Sequence, residues 1–136
     1  MTPRFHFIGM AVTDMAASLA FYRLLGLEIP AEADTRPHVE VRLPDGPLLV
    51  WDSAEVIRSF DPDWDGVTGG NGPNLAFACA DPAEVDRLYG TLVAAGYESC
   101  NAPWDAFWGQ RYAIVRDADR NAVNLLAPLP DATPRG

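Results

Sequence analysis

The chain repeats its own plan. Displacing the first half by sixty-seven residues lays Phe7 on Asn74, Met10 on Phe77, Asp14 on Asp81 and Tyr22 on Tyr89. In both copies an apolar stretch runs into an aspartate and a helical pattern follows. "FHFIGMAVTD" (5–14) reads as a strand. Asp14 is placed to cap a helix over "MAASLAFYRLLG", where Met15, Leu19, Tyr22 and Leu25 share a face and Gly26 is the stop. "NLAFACAD" (74–81) is the matching strand, and Asp81, Pro82 and Glu84 supply a cap, a first-turn proline and a capping-box carboxylate. A repeated unit of this size cannot bury both faces of its own sheet. The expected class is therefore α+β: two βαβββ modules, about 5–52 and 74–127, joined by a linker over 53–73 within one domain of 1–136. Side by side they form a curved mixed sheet, with helices on its outer face and a concave ligand trough inside.

The remaining segments fill in each half. "HVEVRL" (38–43) alternates, with Val39, Val41 and Leu43 on one face and His38, Glu40 and Arg42 on the other. "PDGP" turns the chain into "LLVWD" (48–52), after which a long loop with several glycines and prolines is expected. In the second half a helix over "AEVDRLYGTLVAAG" carries Gly90, at a cost of about 1 kcal/mol relative to alanine. "YESCN", "QRYAIVRD" (110–117) and "AVNLLA" (122–127) read as strands, and the tail "PLPDATPRG" is expected to be loose. "PWDAFWGQRY" (103–112) concentrates four aromatic residues in an expected loop: a folded-over lid, a core plug or the lip of a ligand pocket.

Composition removes several function classes. The net charge of −9 opposes nucleic-acid binding, which needs a basic face, and suits a cationic ligand or simple solubility. No apolar run reaches the length of a membrane span, and the N-terminus lacks a secretion-signal plan. Two cysteines, Cys79 and Cys100, are too few for a disulfide framework, so a reduced, cytoplasmic protein is expected. All ten basic residues are arginines, which excludes Schiff-base lysine chemistry and a phosphate-loop lysine.

"FIGMAVTDMAASLAFYRLLGLE", "NLAFACADPAEVDRLY" and "RYAIVRDADRNAVNLLAP" together resemble the glyoxalase, bleomycin-resistance and extradiol dioxygenase superfamily, the vicinal oxygen chelate proteins. The resemblance spans roughly residues 5–128 and departs at Arg120, where the family usually has glycine. It implies a divalent metal held by His, Gln or Glu, at positions that fall here on Phe7, Val50, Asn74 and Asn124. Phe and Val have no lone pair to offer, and Asn offers only a neutral carbonyl. The expectation is therefore no cofactor and no metal, as in the bleomycin-resistance type, which binds an antibiotic, usually as a homodimer.

Strand parity assigns the trough face. It collects Phe7, His38, Glu40, Val50, Asp52, Asn74, Gln110, Tyr112 and Asn124, with Trp104, Phe107 and Trp108 at the aromatic lip. Apolar walls with few polar groups suit an organic ligand. Asn74 and Asn124 either read a carbonyl or amide edge or satisfy one another. Trp104, Phe107 and Trp108 either stack on a planar or cationic natural product, with Asp105 and Asp52 favouring positive charge, or pack on a dimer partner. His38 is a ligand contact or an ordinary surface residue. Trp51 is expected in the core, as is Cys79, and Trp64 has no assignable role. The expected function is metal-independent binding of a small molecule, as in antibiotic resistance or self-protection. The alternatives are a lyase, isomerase or dioxygenase using His38, Glu40 and Asp52, and a protein-docking module.

Overall fold

A computed structural model describes residues 2–64, 66 and 74–130. The chain divides into two compact units, Met1–Thr68 and Gly69–Gly136. Both are α+β. The first runs β1 (Phe7–Val12), α1 (Met15–Leu25), a 3-10 turn (Ala31–Thr35), β2 (His38–Arg42), β3 (Leu48–Ser53) and α2 (Ala54–Phe60). The second runs β4 (Leu75–Ala78), α3 (Pro82–Ala94), β5 (Ser99–Ala106), β6 (Gln110–Arg116) and β7 (Ala122–Pro128).

The helix starts follow from their caps. Asp14 Oδ1 accepts from Ala17 N at 3.1 Å, and Asp81 Oδ1 accepts from Glu84 N at 2.9 Å. Each satisfies one of the donors that a helix N-terminus leaves over. Glu84 reaches back as a capping-box residue does, but bonds Ala80 N, one position further than the usual partner.

In the first unit the strand order is β1-β3-β2, with β1 parallel and β2 antiparallel to β3. One face carries Met10, Val12, Val39 and Trp51, all buried, and α1 packs there through Leu19 and Tyr22. The Tyr22 ring meets Trp51 edge-on at 5.3 Å, and its hydroxyl donates to Met10 Sδ at 3.4 Å. Full burial of such aromatic surface dominates core energetics. Trp51 is thus in the core, as expected.

The second unit orders its strands β4-β7-β6-β5. Ala113, Val115, Val123 and Leu125 are fully buried on the face under α3, which contributes Val85 and Leu92. Cys79 is also buried, and desolvation holds its thiol pKa above the ordinary value.

Three expectations change. The first unit has three strands among its described residues, not four, because Pro30 leads into the 3-10 turn where the second unit has β5. Part of the expected 53–73 loop is α2, capped by Ser53 Oγ accepting from Val56 N at 3.3 Å. The remainder of that loop from 67 to 73, and the tail from 131, lie outside the described residues. The aromatic stretch is no free loop: β5 continues through Ala106, so only Phe107–Gly109 turn, and the segment is a β-hairpin. No described helix is long and apolar enough to cross a membrane.

Candidate functional site

The second sheet is asymmetric. One face is sealed by α3. On the other, strand register lines up Ala78, Leu126, Tyr112 and Trp104 in one row, and Ala76, Asn124, Ile114 and Asn101 in the next. The members of these rows are exposed or half-buried. Period-two alternation produces this division: the same strands bury Val123, Leu125 and Val115 on the other side.

The hairpin assembles an aromatic cluster on that open face. Trp104 and Tyr112 are direct cross-strand partners, with ring centroids 5.4 Å apart. Trp108, from the turn, lies edge-on to both, at 6.2 Å from Trp104 and 5.3 Å from Tyr112. Its indole Nε1 donates to Gln110 Oε1 at 2.8 Å, which fixes the ring. Among the described residues the Gln110 amide nitrogen meets no acceptor, which leaves its donors for another partner. Phe107 is different. It touches Trp108 at 5.0 Å but is 96% exposed at the turn, so it is a tip rather than a wall.

Asn124 sits at mid-strand, half-buried between Ala76 and Ile114, and Asn74 is exposed just before β4. No hydrogen bond joins their side chains among the described residues. Mutual satisfaction is therefore not their role.

Asp105 was expected to favour positive charge at the lip. It does not. Its register partner is Arg111, on the opposite face of the hairpin, and Arg111 Nη1 donates to Asp105 Oδ1 at 3.0 Å. Arg111 Nε also donates to Asp86 of α3 at 3.0 Å, so one guanidinium bridges both carboxylates on that face. Hydrogen bonds to Asp86 and then Asp105 push the guanidinium pKa up. The signal that could have shown this is the position of Asp105, one strand step from Trp104 and so on the face away from the rings once the hairpin is closed.

In the first unit His38, Glu40 and Asp52 come together on the face opposite α1. Register places His38 beside Asp52 and Glu40 beside Val50. His38 Nε2 is 2.8 Å from Glu40 Oε2, and Nδ1 is hydrogen-bonded to Asp52 Oδ1. Two carboxylates on two ring nitrogens favour the imidazolium. The Glu40 bond first, then that to Asp52, raise the His38 pKa above 6.5. Asp52 is the sheltered partner, its side chain 13% exposed against 53% for Glu40. His38 is thus an ion-paired residue, not an idle surface one. Phe7 is half-exposed at the start of β1, whereas Val50 is 2% exposed and supplies floor rather than contact surface. Trp64 receives the Arg58 guanidinium over its ring at 5.2 Å.

The donor set does not fit a divalent metal. Phe7 and Val50 have no lone pairs, and the Asn74 and Asn124 carbonyls are neutral. His38 directs both nitrogens into carboxylates, so those three side chains do not converge on a common point. Among the described residues no group of three or more His, Cys, Asp or Glu is arranged to hold an ion.

Comparison with known proteins agrees with this architecture. Residues 4–125 match the family model described as Glyoxalase/Bleomycin resistance protein/Dioxygenase superfamily. No curated protein matches in sequence. Among solved structures, a glyoxalase/bleomycin resistance protein/dioxygenase from Nocardioides is 23% identical, with a TM-score of 0.74 over 100% of this chain and 90% of that one. A family enzyme of the same description from Burkholderia phytofirmans PsJN is 18% identical, with a TM-score of 0.78 over 90% and 97%. A lactoylglutathione lyase from Agrobacterium tumefaciens is 20% identical, with a TM-score of 0.67 over 93% and 95%. At these identities the likeness is one of fold.

Proposed function

We propose, for a chain that belongs to the glyoxalase/bleomycin resistance protein/dioxygenase superfamily, that it binds a planar, apolar small molecule without coordinating a metal. The observation that carries the reading is the Trp104–Trp108–Tyr112 cluster on the open face of the second sheet. Edge-on packing holds the three rings rigid, so little side-chain entropy is lost when a flat ligand docks. Gln110 orients such a ligand through its free amide donors, and Asn124 reads a carbonyl or amide edge. Ring faces also accept a cation, so a protonated aromatic natural product fits as well as a neutral one. Sequestration of such a compound, an antibiotic among them, by a homodimer is the role that follows. Fold alone does not choose it, since one fold hosts many chemistries.

The test is titration of tryptophan fluorescence with acridine orange and with a neutral anthraquinone. Saturable quenching is expected, and Trp104→Ala is expected to weaken it about fivefold, the value of one aromatic contact of about 1 kcal/mol. Quenching that is absent, or equal in Trp104→Ala and Trp108→Ala, overturns the reading. So does a stoichiometric transition metal in protein purified without chelator. Light scattering tests the dimer.

The His38–Asp52–Glu40 cluster favours a second reading, metal-free acid–base catalysis. In that case Glu40 yields Nε2 to a substrate while Asp52 keeps the ring in place. Unchanged ligand binding but lost turnover in His38→Gln separates catalysis from sequestration.

A further inference from the structure

The arginines are not evenly matched with acids. Arg23, Arg87, Arg111, Arg116 and Arg120 each meet a carboxylate, and Arg58 stacks on Trp64. Among the described residues, Arg4, Arg36 and Arg42 have no ion pair. This is unexpected in a chain with 19 acidic residues and 10 arginines, where a free guanidinium has many possible partners. Two of these three, Arg4 and Arg42, line one cavity of about 670 Å3 together with His6.

The cavity lies wholly in the first unit, between the segment before β1 and the turn joining β2 to β3. The turn holds one cation in position. Arg42 Nη1 donates to the Gly46 carbonyl at 2.9 Å, and Gly46 adopts φ 118, a value that suits glycine and closes the turn tightly. One edge of the guanidinium is thereby committed, and the rest of its donor fork remains for a guest. Phe5 and Pro47 add apolar wall. Asp45 is the one acid in the lining, and it is outnumbered by the two guanidinium groups.

We infer that this cavity is a binding site for an organic anion, a carboxylate or phosphate monoester carried on a flat apolar body. Guanidinium forks match both oxyanions in geometry, and two of them lining one cavity offer charge-assisted hydrogen bonds. The volume exceeds what a bare inorganic ion fills, and Phe5 gives an aromatic ring something to pack against. The overall charge of −9 opposes a distant anion, but that field is screened within about 8–10 Å at physiological salt, whereas the cavity groups act at contact. The site shares no residue with the aromatic cluster of the second unit, so either can fail without the other.

Calorimetric titration with phenyl phosphate and with benzoate tests the inference, with benzamide and benzylammonium as the neutral and cationic counterparts. At least one anion is expected to bind at one site per chain, with affinity that falls on adding salt. Arg4→Gln and Arg42→Gln are each expected to weaken it about tenfold, as loss of one charged hydrogen-bonded contact implies. Asp45→Asn is expected to tighten it severalfold, which a purely structural role for the turn would not do. Arg4 lies outside the strands, so its replacement leaves the sheet intact and remains informative if Arg42→Gln perturbs the turn. Tighter binding of phenyl phosphate assigns a phosphate monoester, and tighter binding of benzoate assigns a carboxylate. The inference is overturned if neither anion binds, if benzamide binds as well as benzoate, or if Arg4→Gln leaves the affinity unchanged.

Discussion

Two glycines, one inside α3 and one just past its end, should respond to the same substitution with opposite signs. Gly90 is an interior residue of α3, and a methyl group built on its Cα meets nothing within 4 Å. Alanine there removes backbone freedom from the unfolded chain and adds no clash. The intrinsic helix scale gives about 0.8–1.0 kcal/mol of stabilisation. Gly96, just past the end of α3, also has open space around its Cα, but its φ is 99. Steric room cannot help there, because the strain is in the backbone itself. Its amide donates to Val93 O at 3.0 Å and Tyr97 N donates to Leu92 O at 3.2 Å, so the left-handed turn closes the helix end. Gly96→Ala should cost about 1–2 kcal/mol. For a chain of this length 1 kcal/mol moves the melting temperature by roughly 3–5 °C. Differential scanning calorimetry should therefore separate Gly90→Ala from Gly96→Ala by about 6 °C or more. Equal shifts, or destabilisation by Gly90→Ala, would refute the assignment of α3 and its stop.

The His38 cluster sets a pH dependence of known sign. Because its folded pKa is raised, its contribution to stability is complete below the ordinary value of 6.5 and is lost as pH rises through the folded value. Glu40→Gln should therefore cost more stability at about pH 6 than at about pH 9 in urea unfolding, and a pH-independent difference would refute the pairing. Arg120 has φ 68, and its contact with Glu98 at 3.5 Å is exposed and worth little. Arg120→Gly should stabilise by about 1 kcal/mol in chemical denaturation. Asp117 is buried and accepts from Asp119 N, Asn121 N and Asn121 Nδ2 at 2.8–3.0 Å. Asp117→Ala should cost about 2–3 kcal/mol by the same measurement, since it strands buried donors.

The features most legible in the sequence were those set by nearest neighbours. Asp14 and Asp81 announced their helices because a short carboxylate before an apolar pattern has one cheap use, and alternation in β6 and β7 announced which side chains go inward. Parity also placed His38, Glu40 and Asp52 on one face. What escaped depended on tertiary register. β5 shows no alternation, its first four residues are exposed, and Pro103 interrupts it, so only its start in "YESCN" read as a strand and the rest as a loop. Regular pairing back from the hairpin turn then sets Asp105 opposite Arg111, on the face away from Trp104. α2 was short and hidden in a glycine-rich stretch, although Ser53 and Glu55 were its start signals. The repeat itself conceals divergence: Tyr22 is sealed in the core against Trp51, while Tyr89 bonds the Ser99 hydroxyl at 2.6 Å. Arg4 and Arg42 carried no local motif, and only the turn around Gly46 brings them to one cavity.

Pro103 has one more effect. β5 is the outermost strand of its sheet, eight residues long, and such a border invites a foreign chain to zip alongside. An imino nitrogen has no hydrogen to give, and the two register shifts between Ser99 and Trp104 break the even spacing that an incoming backbone would need. The border that bears Trp104 can therefore display greasy rings to solvent while resisting growth into fibrils.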